Sequence, residues 1–132
     1  MAAGINILVN DGGAPARIMK VGNAGADIDA GCFVKFDGTN VVVTSDDLPD
    51  CSNAIGVLFV DATSGDPASV MTGSGLICFL KATGTIGAGN NLSHDDAGLA
   101  KNAGIAATDQ RLAVALEAKG ATHTGFVKAM LL

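Results

Sequence analysis

The residue types of a nucleophilic triad occur together once in the sequence, in the run Ser93-His94-Asp95-Asp96. A working triad is assembled in space from separate segments, and its base is oriented by a third group. Neighbouring side chains on an extended chain point to opposite faces, so adjacent residues do not meet in this way. We therefore expect this run to form a solvated polar turn and not a catalytic site.

Metal binding is the second chemistry that the residue types allow. The chain has two histidines, His94 and His123, and no spacing of histidine and cysteine that is typical of a zinc site. Two small acidic clusters lack the D-x-[DN]-x-[DN]-G pattern of a calcium loop. These clusters are Asp46, Asp47 and Asp50, and Asp95 and Asp96. We expect polar loop tips at both places and no metal ligand.

Glycine-rich segments raise the question of phosphate binding. Gly73-Ser74-Gly75 and Gly84–Gly89 lack the G-x-x-x-x-G-K-[ST] spacing and do not open a helix, so we expect tight turns between strands. Lys81 looks like a mid-strand residue, whereas the modified lysine of a lipoyl or biotinyl domain lies in a hairpin. No residue is therefore assigned as catalytic, cofactor-binding or metal-ligating. We expect a protein that is not an enzyme and needs no cofactor.

The composition predicts a core of small side chains. The chain has 132 residues, of which 48% are hydrophobic but only 4% aromatic, and it contains 18 glycines. Small side chains bury less apolar area each, and glycine loses more backbone entropy on folding than other residues. Burial against sister subunits would offset that cost. The composition therefore favours an oligomer.

The charge and the cysteines limit the possible partners and compartments. A net charge of −5 disfavours binding of nucleic acid, which needs basic side chains to displace counterions. No stretch approaches the ~20 apolar residues of a membrane span, and the first ten residues do not have the pattern of a secretory signal. Cys32, Cys51 and Cys78 lack paired spacing, so we expect small buried side chains in a reducing cytoplasm.

Short apolar runs alternate with turn signals along the whole chain, which is typical of an all-β domain. Phe33–Val41, with its central Asp37-Gly38, is the clearest hairpin. The segment Ala106–Lys119 has the local signals of a helix, with Thr108 as a possible cap and Gly120 as a stop. The predicted strands are Ile5–Val9, Arg17–Val21, Cys32–Phe36, Val41–Thr44, Ala54–Asp61, Ser69–Met71, Leu76–Ala82, Leu99–Lys101, Leu112–Ala118 and Phe126–Leu132.

An internal similarity argues that the second half of that segment is a strand. Ile28–Val34 resembles Ile86–Leu92, Gly38 parallels Gly98, and Ile55–Ala62 resembles Leu112–Lys119, at offsets of 57–60 residues. We interpret this as a duplication that forms two half-domains around a pseudo-twofold core. Leu112–Ala118 is then a strand, while Ala106–Arg111 is left open between a helical turn and a loop.

The first residues lie outside the repeat. We predict an N-terminal arm at residues 1–15 and a single β-domain at residues 16–132. The arm is either a frayed terminus or a strand that adds to the edge of a neighbour's sheet.

The order of these elements resembles that of the capsid decoration, or cement, proteins of tailed bacteriophages. The resemblance covers about residues 16–132 and is carried by Ile28–Phe36, Ile55–Leu58, Gly75–Leu92, Ala97–Ala100, Leu112–Ala118 and Phe126–Leu132. Each piece is a simple Gly/Ala/Val pattern, so the order carries the resemblance. The loop Asp46–Asn53 and the Gly-rich first 15 residues depart from the pattern.

The resemblance implies a small β-barrel or β-tulip-like body that forms a homotrimer. It implies a structural virion protein, made in the bacterial cytoplasm, that binds the major capsid protein on the outer surface of the expanded head. Two other functions remain open: a fibre or spike module of a phage, and a small-ligand or sugar-binding β-domain. The second is disfavoured because sugar sites usually stack aromatic rings, and Phe is the only aromatic residue in this chain.

Overall fold

The computed structural model describes residues 7, 16–44, 54–95, 97–103, 111–118 and 125–132. Within these residues the chain forms ten β-strands and no helix, which confirms the all-β prediction. No helix of the described part is long and apolar enough to span a membrane. The strands are β1 Arg17–Met19, β2 Phe33–Phe36, β3 Val41–Val43, β4 Ala54–Leu58, β5 Val70–Thr72, β6 Ile77–Lys81, β7 Asn91–His94, β8 Ala100–Asn102, β9 Ala113–Ala115 and β10 Phe126–Leu131.

The ten strands form two five-stranded sheets in which all pairs are antiparallel. The order is β1-β5-β4-β2-β3 in the first sheet and β6-β10-β9-β7-β8 in the second. Both sheets are open, and the described strands do not close into a barrel. The second order is the first with every strand number raised by five, so the topology repeats within the chain.

Backbone hydrogen bonds show that the two halves also share their register. In the first half, the Leu58 N–H donates to the Cys32 carbonyl, and the Gly31 N–H donates to the Leu58 carbonyl. In the second half, Ala115, Asn90 and Gly89 make the same two bonds in the same directions. Corresponding residues are 57 or 58 positions apart, as the sequence similarity indicated. The predicted duplication is therefore present in topology and in register.

The glycines at these positions are required by the backbone. Gly31 has a φ of +91° and Gly89 a φ of +84°, in the left-handed region that residues with a side chain rarely adopt. A Cβ at residue 31 would also lie 3.0 Å from the Lys81 backbone nitrogen. The shared Gly thus marks the same strained bend before β2 and before β7.

The two hairpins β2–β3 and β7–β8 have the same turn chemistry. Asp37 accepts two backbone N–H bonds from its own turn, at 2.7 and 2.8 Å. Asp95 likewise accepts the N–H groups of Ala97 and Leu99, both at 2.9 Å. An aspartate that bonds the backbone a few residues ahead stabilises a turn, and this confirms Phe33–Val41 as a hairpin.

The buried apolar side chains of the described residues form two clusters. The smaller cluster lies on one side of the first sheet and contains Val34, Leu58 and Val70, covered by loop residues such as Ile28 and Ala62. The larger cluster joins the two halves. Its sheet residues include Phe33, Val57, Met71, Cys78, Leu80, Leu92, Ala113, Ala115, Val127, Ala129 and Leu131.

The side of the first sheet that carries Phe33, Val57 and Met71, here called the inner face, packs into this shared core. By register, the corresponding residues of the second sheet are Asn91, Val114 and Met130. These three residues lie outside the shared core, on a side here called the outer face. Corresponding faces therefore do not meet. The two halves pack head to tail, which here means that the inner face of the first sheet packs on the side of the second sheet opposite its outer face. The pseudo-twofold arrangement expected from the sequence is wrong.

Most predicted strands are present, usually one to three residues shorter than expected. The strand expected at Leu112–Ala118 is β9, so the internal similarity predicted this element better than local helix propensity did. Strand β7 was missed in the list of runs because Asn91, Ser93 and His94 are polar. The question of Ala106–Arg111 lies almost entirely outside the described residues.

Of the predicted arm, Ile7 is described, and it is only 4% exposed. Its carbonyl accepts the Phe79 N–H at 2.8 Å, and its side chain belongs to the shared core. Ile7 therefore packs on the outer edge of β6. The rest of residues 1–15 lies outside the described part, and the domain boundary stays a prediction.

Candidate functional site

The structure separates the residues of the apparent triad. Ser93 and His94 belong to β7, where they are 1% and 0% exposed, so the expectation of a solvated turn is wrong for both. Ser93 pairs with Lys101 and His94 with Ala100, which places their side chains on opposite sides of the sheet. Asp95 begins the turn that follows, and Asp96 lies outside the described residues. Ser93 and His94 form part of a strand because the hairpin β7–β8 repeats the hairpin β2–β3. An argument from local polarity alone does not detect this repeat.

His94 lies at the junction between the two halves. Its ring centroid is 6.5 Å from that of Phe33, and its Nδ1 lies 3.2 Å from the Asp95 carbonyl oxygen. Its Nε2 is buried without a hydrogen-bond partner. Such a group destabilises a fold by ~1–3 kcal/mol. The position of His94 is explained by packing against Phe33.

The same junction contains a backbone contact. The Phe33 N–H donates to the Gly98 carbonyl oxygen at 2.8 Å. A Cβ on Gly98 would lie 2.5 Å from the Phe33 carbonyl oxygen, and Gly98 has a φ of +74°. The turn of the second hairpin thus rests directly on β2, and only glycine allows this approach.

Lys81 belongs to strand β6, but it is the last residue of the strand and not a mid-strand residue as expected. Its ammonium binds the Asp29 carboxylate at 2.5 Å. This bond raises the pKa of Lys81 above its usual value of 10.5. The Lys81 side chain is 35% exposed and that of Asp29 53% exposed, so the pair contributes well under ~1 kcal/mol. It ties the loop before β2 to the edge of the second sheet.

The glycine-rich segments form turns, as predicted. The Leu76 N–H donates to the Gly73 carbonyl between β5 and β6, and the Asn90 N–H donates to the Gly87 carbonyl between β6 and β7. Among the described residues, no three His, Cys, Asp or Glu side chains are grouped as metal ligands would be. His123, Asp46, Asp47 and Asp50 lie outside the described part.

Cys32 and Cys78 are buried free thiols, as predicted. Burial raises the pKa of Cys32 to about 11 and that of Cys78 to about 12. The nucleophilic form is the thiolate, so neither residue is a reactive group near neutral pH. Cys51 lies outside the described residues.

Two of the surface depressions are lined by described residues. The first, of about 110 Å³, lies between the sheets and is lined by residues that include Phe33, Ile55 and Leu132. The second is a shallow polar groove of about 400 Å³ beside Asn90, Asn91 and Asn102. The Asn90 side-chain amide donates to Asn102 Oδ1 at 2.9 Å, so part of this polar surface is already satisfied internally.

Exposed apolar side chains are the more informative surface feature. Six large ones among the described residues are 42–50% exposed, and they are Ile18, Val21, Phe36, Val60, Leu116 and Leu132. Two of them occupy positions whose repeat partners are covered. Phe36 corresponds to the fully buried His94, and Leu116 corresponds to the half-buried Phe59. The sequence similarity aligned Phe59 with Leu116 but did not pair Phe36 with His94, and it could not indicate which copy is covered.

Comparisons with known proteins show a likeness in fold. No family model and no curated protein sequence matches the chain. Among solved structures, the N-terminal base of the head fibre protein gp8.5 of bacteriophage phi29 is similar, with a TM-score of 0.66 and 15% sequence identity. The match covers 89% of this chain and 95% of that one, so the likeness extends over nearly the whole fold.

Proposed function

We propose that this protein is a structural component of a phage particle that binds, as a homotrimer, to the outer surface of the head. The observation that carries the proposal is the likeness of nearly the whole fold to the base of a phage head fibre. The order of sequence elements, which resembles that of capsid decoration proteins, points independently to the same part of the particle.

The partner in this proposal is the major capsid protein of the expanded head. Binding to the mature lattice and not to its precursor stabilises the mature state by linkage, by ~2.7 kcal/mol per site when the free protein is at 100 times its Kd. Many weak contacts of this kind add up over a head. The net charge of −5 suits an outer surface, where a protein must not bind the genome.

Sedimentation with isolated heads tests this proposal. The purified protein is mixed with expanded heads and with unexpanded precursor heads of the phage that encodes it, and bound protein is quantified after a sucrose gradient. We expect binding to expanded heads alone and an increase in the temperature at which heads release DNA. A protein that sediments with neither type of head contradicts the proposal.

A second candidate function is the base of a head fibre, because the similar phi29 structure is itself the base of a head fibre. A fibre base occupies a limited set of positions and presents a distal fibre, whereas a cement protein covers the lattice. Copy number per head separates the two candidates. Saturation in proportion to the capsid lattice, together with heat stabilisation, supports the cement role, and a few copies without heat stabilisation support the fibre base.

A further inference from the structure

The head-to-tail packing of the two halves leaves two unmatched surfaces, one at each end of the repeat. The first is the outer face with Val114, Leu116 and Met130, whose counterparts in the first half pack into the shared core, and with Lys128, whose counterpart Ser69 does not. The second is the hairpin end, Phe36–Asn40, whose counterpart in the second half fills the junction with His94 and Gly98. We propose that copies of this chain associate head to tail, the hairpin end of one copy docking on the outer face of the next.

The internal junction supplies the geometry for this contact. Within one chain, His94 and Gly98 of the second hairpin lie against Phe33 of the first sheet. A similar relation between copies places Phe36 and the turn that follows it against Asn91, the counterpart of Phe33. A Cβ at Gly38 would meet nothing within 4 Å, so this turn is open to a partner. Phe36 is 44% exposed, where its counterpart His94 is fully buried.

The outer face has the matching exposure. Leu116 is 43% exposed, while its counterpart Phe59 packs against the shared core. Val114 and Met130 are half-buried, while their counterparts Val57 and Met71 are 0% exposed. The contact surface of the first half has thus kept its apolar character in the second half, where the described part of the chain leaves it partly exposed.

Charge also favours a second copy as the occupant. The hairpin end carries Asp37, and two backbone N–H bonds lower the pKa of this carboxyl group below its usual 3.8, so it is negative at neutral pH. The outer face carries Lys128, whose side chain lies on the same side of β10 as Met130. The two surfaces therefore carry side chains of opposite charge, which favours contact between unlike surfaces over contact between like ones.

A contact between two different surfaces is heterologous, and it forms a ring when its rotation closes. A ring of three copies gives the homotrimer, so this inference deepens the proposed function and rests on its trimeric part. Every copy in such a ring uses both its hairpin end and its outer face. Substitution at either surface then breaks the same interface.

Light scattering of single variants and of their mixture tests the inference. Phe36→Asp places a charge in the apolar contact of the hairpin end, and Leu116→Asp does the same on the outer face. Val60→Asp is the matched control, because Val60 is equally exposed, at 47%, and belongs to neither surface. We expect the mass of wild type and of the control to be that of three chains, and the mass of each single variant to fall to that of one chain, 13.0 kDa.

An equal mixture of the two variants gives the sharper result. Phe36→Asp retains an intact outer face and Leu116→Asp an intact hairpin end, so one functional interface forms between them. We expect a species of two chains at high concentration and no species of three. A mixture that stays monomeric, or single variants that remain trimeric with unchanged circular dichroism, overturns the inference.

Head binding keeps the two proposals apart. Wild-type trimers that bind expanded heads, while both variants stay trimeric, leave the proposed function standing and refute the head-to-tail interface. If the wild type is a trimer that does not bind heads, and both variants are monomers, the head-to-tail interface stands and the proposed head binding is refuted. A monomeric wild-type protein refutes the head-to-tail interface and the trimeric part of the proposed function, while the sedimentation test still decides head binding.

Discussion

Gly56 is the central residue of β4, and its backbone lies close to the neighbouring strand β5. A Cβ at this position would lie 2.4 Å from the Met71 carbonyl oxygen and 2.8 Å from Val70 Cγ1. Real Cβ atoms do not approach backbone that closely, so Gly56→Ala must push β4 and β5 apart. The pairs that hold these strands, Val57 with Met71 and Leu58 with Val70, bring completely buried side chains from both cores.

The cost of this change follows from overpacking. Inserting a methyl group into a packed interior destabilises by ~1–3 kcal/mol. Reduced freedom of the unfolded chain returns about 0.4–1 kcal/mol. We expect a net loss of ~1–2 kcal/mol, which lowers Tm by roughly 3–12 °C for a domain of this size.

Thermal and urea unfolding followed by circular dichroism at fixed protein concentration measures this loss. The internal repeat offers the control, because Ala113 occupies the corresponding position of β9 and is itself 0% exposed. Ala113→Gly creates no clash and is expected to cost the ~0.5–1 kcal/mol of a glycine within a strand. A Tm for Gly56→Ala within 1–2 °C of wild type, or above it, would refute the steric argument.

Three further predictions concern single groups. Thr44→Val should stabilise by about 1 kcal/mol in urea unfolding, because the buried Thr44 hydroxyl has no hydrogen-bond partner and valine has the same shape; a loss of stability would contradict this. In a Cys51→Ser background, a thiol reagent at pH 8 should label neither Cys32 nor Cys78 in the native protein and both in urea, because burial raises their pKa values to about 11 and about 12. The carboxyl group of Asp37 should titrate below 3.8 by carbon NMR, so its contribution to stability is present above that pH and is lost as pH falls through the lower folded pKa. A midpoint at or above 3.8 would show that the turn does not hold this carboxylate.

The sequence predicted most of the strands because turn residues delimit them, and it predicted the duplication because Gly31 and Gly89 must occupy equivalent bends. It did not predict how the halves pack. Both sides of β2 are apolar, since Phe33 and Val34 alternate, so the pattern fits either face toward the second half. The replacement of Phe33 by Asn91 at the corresponding position was the available signal that this side of the second half is not part of the core. Exposure of Phe36 and Leu116 depends on tertiary packing and could not be read from local pattern.

The division of the core has a consequence for synthesis on the ribosome. The smaller cluster is built from residues 24–70, so the first sheet and its loop cover can assemble while the second half is still being made. The inner face of the first sheet, with Phe33, Val57 and Met71, stays uncovered until β6–β10 leave the ribosome. At ~5–20 residues per second, about 60 residues take roughly 3–12 s. During that interval the nascent chain presents an apolar sheet surface, and a chain truncated after β5 should aggregate even though its own loops cover the other side of the sheet.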